Sequence, residues 1–181
     1  KMHLATVGYD LPDEPDSRGC YGTSNGIEFW ERDRRMIPLH VSHTFDAGLT
    51  GKDLVLGSGV EGLTVVTDLC FSRNTDQPTR WVLATKGQCQ LVGRKVKIGC
   101  EIPGLVPKLL KDAAILIADY EVVQLEGSEE QAIDEKLCDV LLCVTETGRS
   151  LARAGLKVFP GCEKLLVSTP QIISKPCLEV E

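Results

Sequence analysis

Aromatic residues make up only 5% of this 181-residue chain, too few for a platform on which the bases of a single strand could stack. No apolar run approaches the ~18 residues that a membrane-spanning helix requires. Positive charge is scarce too: 20 Lys and Arg against 26 Asp and Glu leave a formal net charge of −6, where a nucleic-acid scaffold shows a basic face. Neither nucleic acid nor a membrane is therefore expected as a partner. The eight cysteines contain no C-x-x-C pair, which excludes zinc-ribbon and thioredoxin-like sites. Cys70, Cys138 and Cys143 lie in apolar runs and read as small reduced hydrophobes. Of the three histidines, His40 and His43 share a helix face, as a metal pair or as solvated or capping groups. Nothing at the N-terminus reads as an export signal, so a cytoplasmic location is expected.

The 43% hydrophobic and 25% charged fractions suit a globular protein with a real core. Apolar patterning places strands at His3–Val7, Gly26–Glu31, Phe45–Leu49, Leu63–Val66, Trp81–Thr85, Lys95–Gly99, Glu121–Leu125, Val140–Val144 and Lys164–Ser168, with a last short segment at Gln171–Ser174. Helices are expected at Ile37–Thr44 with Pro38 in its first turn, shortly after the Thr50–Asp53 turn, at Pro103–Ala113, and at Ser150–Ala154 closed by Gly155. Ser128 followed by Gln131 fits a capping box and predicts a helix over Ser128–Lys136. The polar stretch Ser72–Thr79 reads as a connector. Alternating strands and helices imply an α/β fold with largely parallel sheets. The expected organisation is two-lobed: residues 1–81 plus 165–181 form one lobe, 82–164 the other, with a ligand cleft between them.

The chemistry concentrates where the run Val140–Val144 stops and Thr145-Glu146-Thr147-Gly148-Arg149-Ser150 begins. A loop between a buried strand and a helix aims backbone N–H groups and the positive helix end at one small volume. Thr145, Thr147 and Ser150 add hydroxyls, Gly148 permits close approach of the backbone, and Arg149 adds a cation. Such a set suits a single phosphate group; the alternative is an ordinary strand–helix turn.

Several ordered blocks then resemble one family, the ATP phosphoribosyltransferases that begin histidine biosynthesis. They are Arg35–Val41 followed by Asp46–Asp53; Thr67–Phe71; Gly99–Leu105; and Leu125–Glu130, joined to the phosphate loop and to Ala154-Gly155-Leu156. The likeness runs from about Ile27 onward. It implies a two-lobed fold similar to type II periplasmic binding proteins. It also implies a reaction in which adenine N1 of ATP attacks C1 of phosphoribosyl pyrophosphate, with Mg²⁺ held mainly by the substrate's own oxygens. By position, Cys143 and Thr145 to Ser150 would hold the phosphate and ribose. Gly51, Lys52, Glu101 and Glu130 would face the nucleotide or pyrophosphate; Lys52 reads equally as a solvated lysine, and Glu130 as a residue favouring its helix's first turn.

Two departures accompany the resemblance. The first strand runs into Val7-Gly8-Tyr9-Asp10 where the family has a basic Lys-Gly-Arg-like turn, which implies a shortened first lobe and an Asp10 that repels phosphate. Cys143 stands where the family has an acidic residue that grips ribose hydroxyls, and a thiol is a poor acceptor. The ending at Glu181 resembles the short form of the family, which works with a regulatory subunit similar to histidyl-tRNA synthetase. A homo-oligomer is also expected. A different class of function fits the same features: a non-catalytic subunit that binds a phosphorylated metabolite or serves as a scaffold.

Overall fold

The computed structural model describes residues 8–69, 79–87, 89, 91–111, 113, 117–127 and 129–176. The expected strand at His3–Val7, most of the Ser72–Thr79 connector, Cys70 and the capping residue Ser128 lie outside these. Apolar alternation becomes eleven strands among the described residues: β1 Cys20–Ser24, β2 Ile27–Trp30, β3 Ala47–Gly51, β4 Thr64–Asp68, β5 Thr79–Thr85, β6 Val96–Cys100, β7 Tyr120–Gln124, β8 Val140–Thr145, β9 Lys157–Val158, β10 Leu166–Ser168 and β11 Pro170–Ser174. The helices are short: α1 Ile37–His43, α2 Lys52–Ser58, α3 Val106–Lys111 behind a 3₁₀ turn at Pro103–Leu105, and α4 Arg149–Arg153.

β8 explains the central sheet. Its residues alternate between two apolar clusters: Val140 and Leu142 join Trp81, Leu83, Val96 and Ile98 on one face, while Leu141 and Cys143 join Val82, Ala84, Leu125 and Leu151 on the other. A strand buried on both faces must read as a continuous apolar run. The six-stranded sheet runs β10-β5-β8-β6-β7, with β9 also on β5. Gly99 is required here by packing, since a Cβ would lie 2.7 Å from Leu125 Cδ1 and 2.8 Å from Cys138 Sγ.

A second sheet runs β3-β11-β4, and β1 and β2 form a separate hairpin. The segment expected only as a short C-terminal piece is thus the middle strand of a sheet. Ile173 of β11 packs with Ile37 and Val41 of α1.

The expectation of largely parallel sheets does not hold. Only β6–β7 and β6–β8 are parallel; β5–β8, β5–β9, β10–β5, β11–β3, β11–β4 and β1–β2 are antiparallel. Direction across the molecule is the reason. β3, β6 and β8 all end at the cavity between the sheets, whereas β5 and β11 begin beside it and run away. An outgoing strand next to an incoming one is necessarily antiparallel.

The helix expected over Ser128–Lys136 is also shorter: a 3₁₀ turn at Glu129–Gln131 followed by turns. Ala132 is its one fully buried apolar residue, while Gln131 and Glu135 face solvent, so too little apolar surface is buried to sustain a longer helix. Lys136 closes it at φ 59°, with Leu137 N–H donating to Ala132 O. The turn expected at Thr50–Asp53 is absent: β3 passes through Gly51 directly into α2.

Candidate functional site

A cavity of about 810 Å³ opens between the two larger sheets. β3 and α2 contribute Thr50, Gly51, Asp53 and Leu54, and Arg34 leads in from before α1; β5, β6 and β8 contribute Trp81, Glu101 and the loop Val144–Ser150. The walls are held together directly. Trp81 Nε1 donates to Asp53 Oδ2 at 3.0 Å, and Asp53 N–H donates to Ser168 Oγ at 3.1 Å. Lys108 Nζ donates to Leu56 O at 2.6 Å. Close approach also demands glycine at this seam: a Cβ on Gly104 would collide with the Gly57 carbonyl, a backbone atom that cannot rotate away. Arg35 bridges to Glu101 from the opposite wall, with Arg34 at 3.8 Å from the same carboxylate. The carboxylate raises the Arg35 pKa above its usual value, chiefly by accepting its hydrogen bond.

The structure brings Thr145, Glu146, Thr147, Gly148, Arg149 and Ser150 to the cavity together. Thr145 is buried, and its Oγ1 accepts the Gly148 N–H at 2.9 Å, which curls the loop. Gly148 sits at φ 75°, a left-handed conformation that glycine adopts without strain. The helical ladder starts with Ala152 N–H donating to Gly148 O, so the Arg149 and Ser150 amides precede it. α4 has five residues, so its contribution is these local amides rather than a long summed dipole. Arg80 Nη2 donates to Glu146 O at 3.0 Å and ties the loop to β5.

Gly51 and Glu101 also line the cavity, but three other named residues do not. Cys143 points into the apolar cluster behind β8, where burial pushes its thiol up to about 12. Strand alternation sets Cys143 on the face of Leu141, which joins the same cluster, and only the end of that face, at Thr145, reaches the cavity. Lys52 lies outside the lining; its amide donates to Thr169 O, and its charge helps to lower the Asp68 pKa. Glu130 is likewise outside the lining. Its neighbour Glu129 is the perturbed carboxylate, raised to about 7, first by burial and then by Glu101 and Glu130. Asp10 is not a cavity residue either; its amide donates to Ser24 Oγ. His40 of α1 lies 5.4 Å from the Phe45 ring, an aromatic contact.

Sequence reasoning missed Arg34, Asp53, Trp81, Arg153 and Ser168, all of which line the cavity. They converge from five separate segments, and only Asp53 lies inside one of the family-like blocks, where nothing local distinguished it from its neighbours. Arg34, Arg149 and Arg153 supply positive charge there against Asp53, Glu101 and Glu146.

The ATP phosphoribosyltransferase family model matches residues 34–180, leaving the β1–β2 hairpin outside the match. The chain is 36% identical over 144 residues to an ATP phosphoribosyltransferase of Nitratidesulfovibrio vulgaris (Miyazaki F), covering 77% of this chain and 47% of that protein. It is 34% identical over 173 residues to one from Salinispora tropica, covering 95% and 59% respectively. The chain thus spans about half the length of the curated relatives it matches. In fold it is similar to a chain of the ATP phosphoribosyl transferase (HisG:HisZ) complex from Thermotoga maritima, with a TM-score of 0.77 and 19% identity over 97% of this chain and 80% of that one. The strand–loop–helix cradle at Thr145–Ser150, the two sheets that enclose it and the match over most of the sequence agree: this chain belongs to the ATP phosphoribosyltransferase family.

Proposed function

We propose that this chain transfers the phosphoribosyl group of phosphoribosyl pyrophosphate to N1 of ATP, the first step of histidine biosynthesis. The observation that carries the reading is the Thr145–Ser150 loop turned into an interlobe cavity of about 810 Å³. In this reading the Arg149 and Ser150 amides and the Thr147 and Ser150 hydroxyls hold the sugar's 5-phosphate. Arg34, Arg149 and Arg153 line the same cavity, and in this reading they meet the growing negative charge of the leaving pyrophosphate. Adenine N1 attacks with its own lone pair, so positioning in the cavity matters more than a general base. Glu101 is engaged with Arg35 and would act on closure of the cavity rather than on a proton.

Mg²⁺ would enter on the substrate's phosphate oxygens, since among the described residues no group of three metal-ligating side chains gathers to hold it. We take lobe boundaries near residues 81 and 165, a cytoplasmic setting, and assembly both with itself and with a regulatory subunit as parts of the same proposal; that the fold neighbour from Thermotoga is a HisG:HisZ complex supports a second subunit. No helix among the described residues is long and apolar enough to cross a membrane.

The test mixes the purified chain with ATP, phosphoribosyl pyrophosphate and Mg²⁺, with and without a candidate regulatory subunit. Phosphoribosyl-ATP is the expected product. The second reading, a non-catalytic metabolite-binding subunit, is favoured by one observation: Cys143 is buried and offers no acceptor to a ribose. Saturable binding of phosphoribosyl pyrophosphate with no product in either mixture would select it.

A further inference from the structure

A second concavity, of about 320 Å³, opens at the other end of the six-stranded sheet, where β5 finishes and β6 and β8 begin. Lys86, Arg94, Lys97 and Lys136 line it, with Asp139 and Cys89. In a chain with a formal net charge of −6, four cations around one small volume stand against the overall balance. Their carboxylate partners are few. Asp139 takes Arg94 in two contacts, at 3.1 Å and 3.0 Å, and accepts the Lys97 amide at 2.8 Å. These bonds hold the Asp139 pKa below its usual value, chiefly through Arg94, and fix the guanidinium at the pocket wall. Lys86 Nζ pairs with Asp134 at 2.7 Å. Four cations against two carboxylates leave two positive charges, those of Lys97 and Lys136, for whose ammonium groups no ion pair occurs among the described residues.

Lys136 adds an independent point. It occupies the position that closes a helical turn in the left-handed conformation, at φ 59°, with Lys136 N–H donating to Ile133 O and Leu137 N–H to Ala132 O. Glycine or asparagine is the residue favoured there. A lysine in that place costs backbone energy and directs a cation at the pocket rim.

We propose that this concavity is a binding site for a small phosphate-bearing anion, distinct from the interlobe cavity. Two ammonium groups held in no ion pair among the described residues, that of Lys97 attracted to Asp139 only at longer range, match a phosphate dianion, and the volume admits a phosphate group with a short organic substituent. The site does not depend on the proposed enzymatic activity, because no lining residue is shared between the two cavities.

Inorganic phosphate is the probe, titrated into ¹⁵N-labelled full chain at low salt and followed by amide shifts. Saturable shifts are expected at Lys97, Lys136 and Asp139, separately from any at Thr145–Ser150. Raising NaCl to about 0.5 M should weaken the affinity, as it screens exposed charge. Lys136→Gly removes the charge while suiting the backbone, so the thermal midpoint should hold or rise while affinity at this site falls about fivefold. Lys97→Gln, at an exposed strand position, repeats the measurement should Lys136→Gly fail to fold. Shifts confined to Thr145–Ser150, no saturable shift at all, or wild-type affinity in a folded Lys136→Gly or Lys97→Gln chain would overturn the proposal.

Discussion

The two sheets that enclose the main cavity differ in how they are covered. Around the six-stranded sheet, apolar clusters bury both faces, with Leu83, Ile98, Leu141 and Leu142 at 0% exposure. The three-stranded sheet is packed on one side, around Ile37, Val41 and Ile173, while Val65, Val66 and Leu49 stay 45%, 59% and 57% exposed. The loop that needs fixed geometry grows from the fully buried strand. The wall that has only to approach it belongs to the lightly packed sheet. Local openings start where few apolar contacts must break, so the β3-β11-β4 side should exchange its amides first.

Substitution tests that contrast most sharply. Leu142→Ala should destabilise the chain by about 3 kcal/mol, as a fully buried leucine leaves a cavity, whereas Val66→Ala should change stability by less than about 0.5 kcal/mol. Urea unfolding of both variants measures the difference, and equal losses would erase it. Next in size is Gly148→Val. No atom lies within 4 Å of a Cβ built there, so the penalty is conformational: about 1–2 kcal/mol for a branched residue at φ 75°. Affinity for phosphoribosyl pyrophosphate should fall about tenfold or more, while Gly148→Asn, which tolerates that conformation, should lose less. Calorimetric titration reads both.

Glu129 gives a smaller effect with a defined sign. Burial raises its pKa from 4.5 to about 7, so the folded chain retains a proton that the unfolded chain releases. The stability held by the protonated carboxyl is complete below about 4.5 and is lost as pH rises through about 7. Glu129→Gln should match the wild type at pH 4 and exceed it at pH 8 in urea midpoints. The smallest change belongs to the bridge between the walls. Arg35 is 40% exposed and Glu101 23%, so Arg35→Ala should cost less than about 1 kcal/mol of stability, measured in the same way.

How far the sequence could be read varied with the range of the forces involved. β8 and its loop were legible because one apolar run, one glycine and the hydroxyls are contiguous, and the closing Gly155 lies at φ 70° just past α4, where such a residue belongs. Cys143 shows the limit. The residues just after it, Val144 and Thr145, line the cavity, yet Cys143 lies one step further back along the strand and packs with Leu141 in the core. The Ser128–Lys136 segment shows another: a capping pattern cannot lengthen a helix that has too little apolar surface to bury. Glu129 and Glu130 were indistinguishable as letters. Both are half-buried, and only packing separated the more desolvated carboxyl of Glu129 from its neighbour.

By itself the sequence determined most of the strands and helices, though not β1, β9 or the short turn at Glu129–Gln131, and the loop at Thr145–Ser150, since each depends on residues within a few positions of one another; the family was legible in the order of several such local blocks. Tertiary structure alone decided strand direction, the place of β11 at the centre of its sheet, and the meeting of Arg34, Asp53, Trp81 and Arg153 at one cavity. Those outcomes follow from long-range pairing and from which face of a strand escapes burial, and neither is encoded in spacing along the chain.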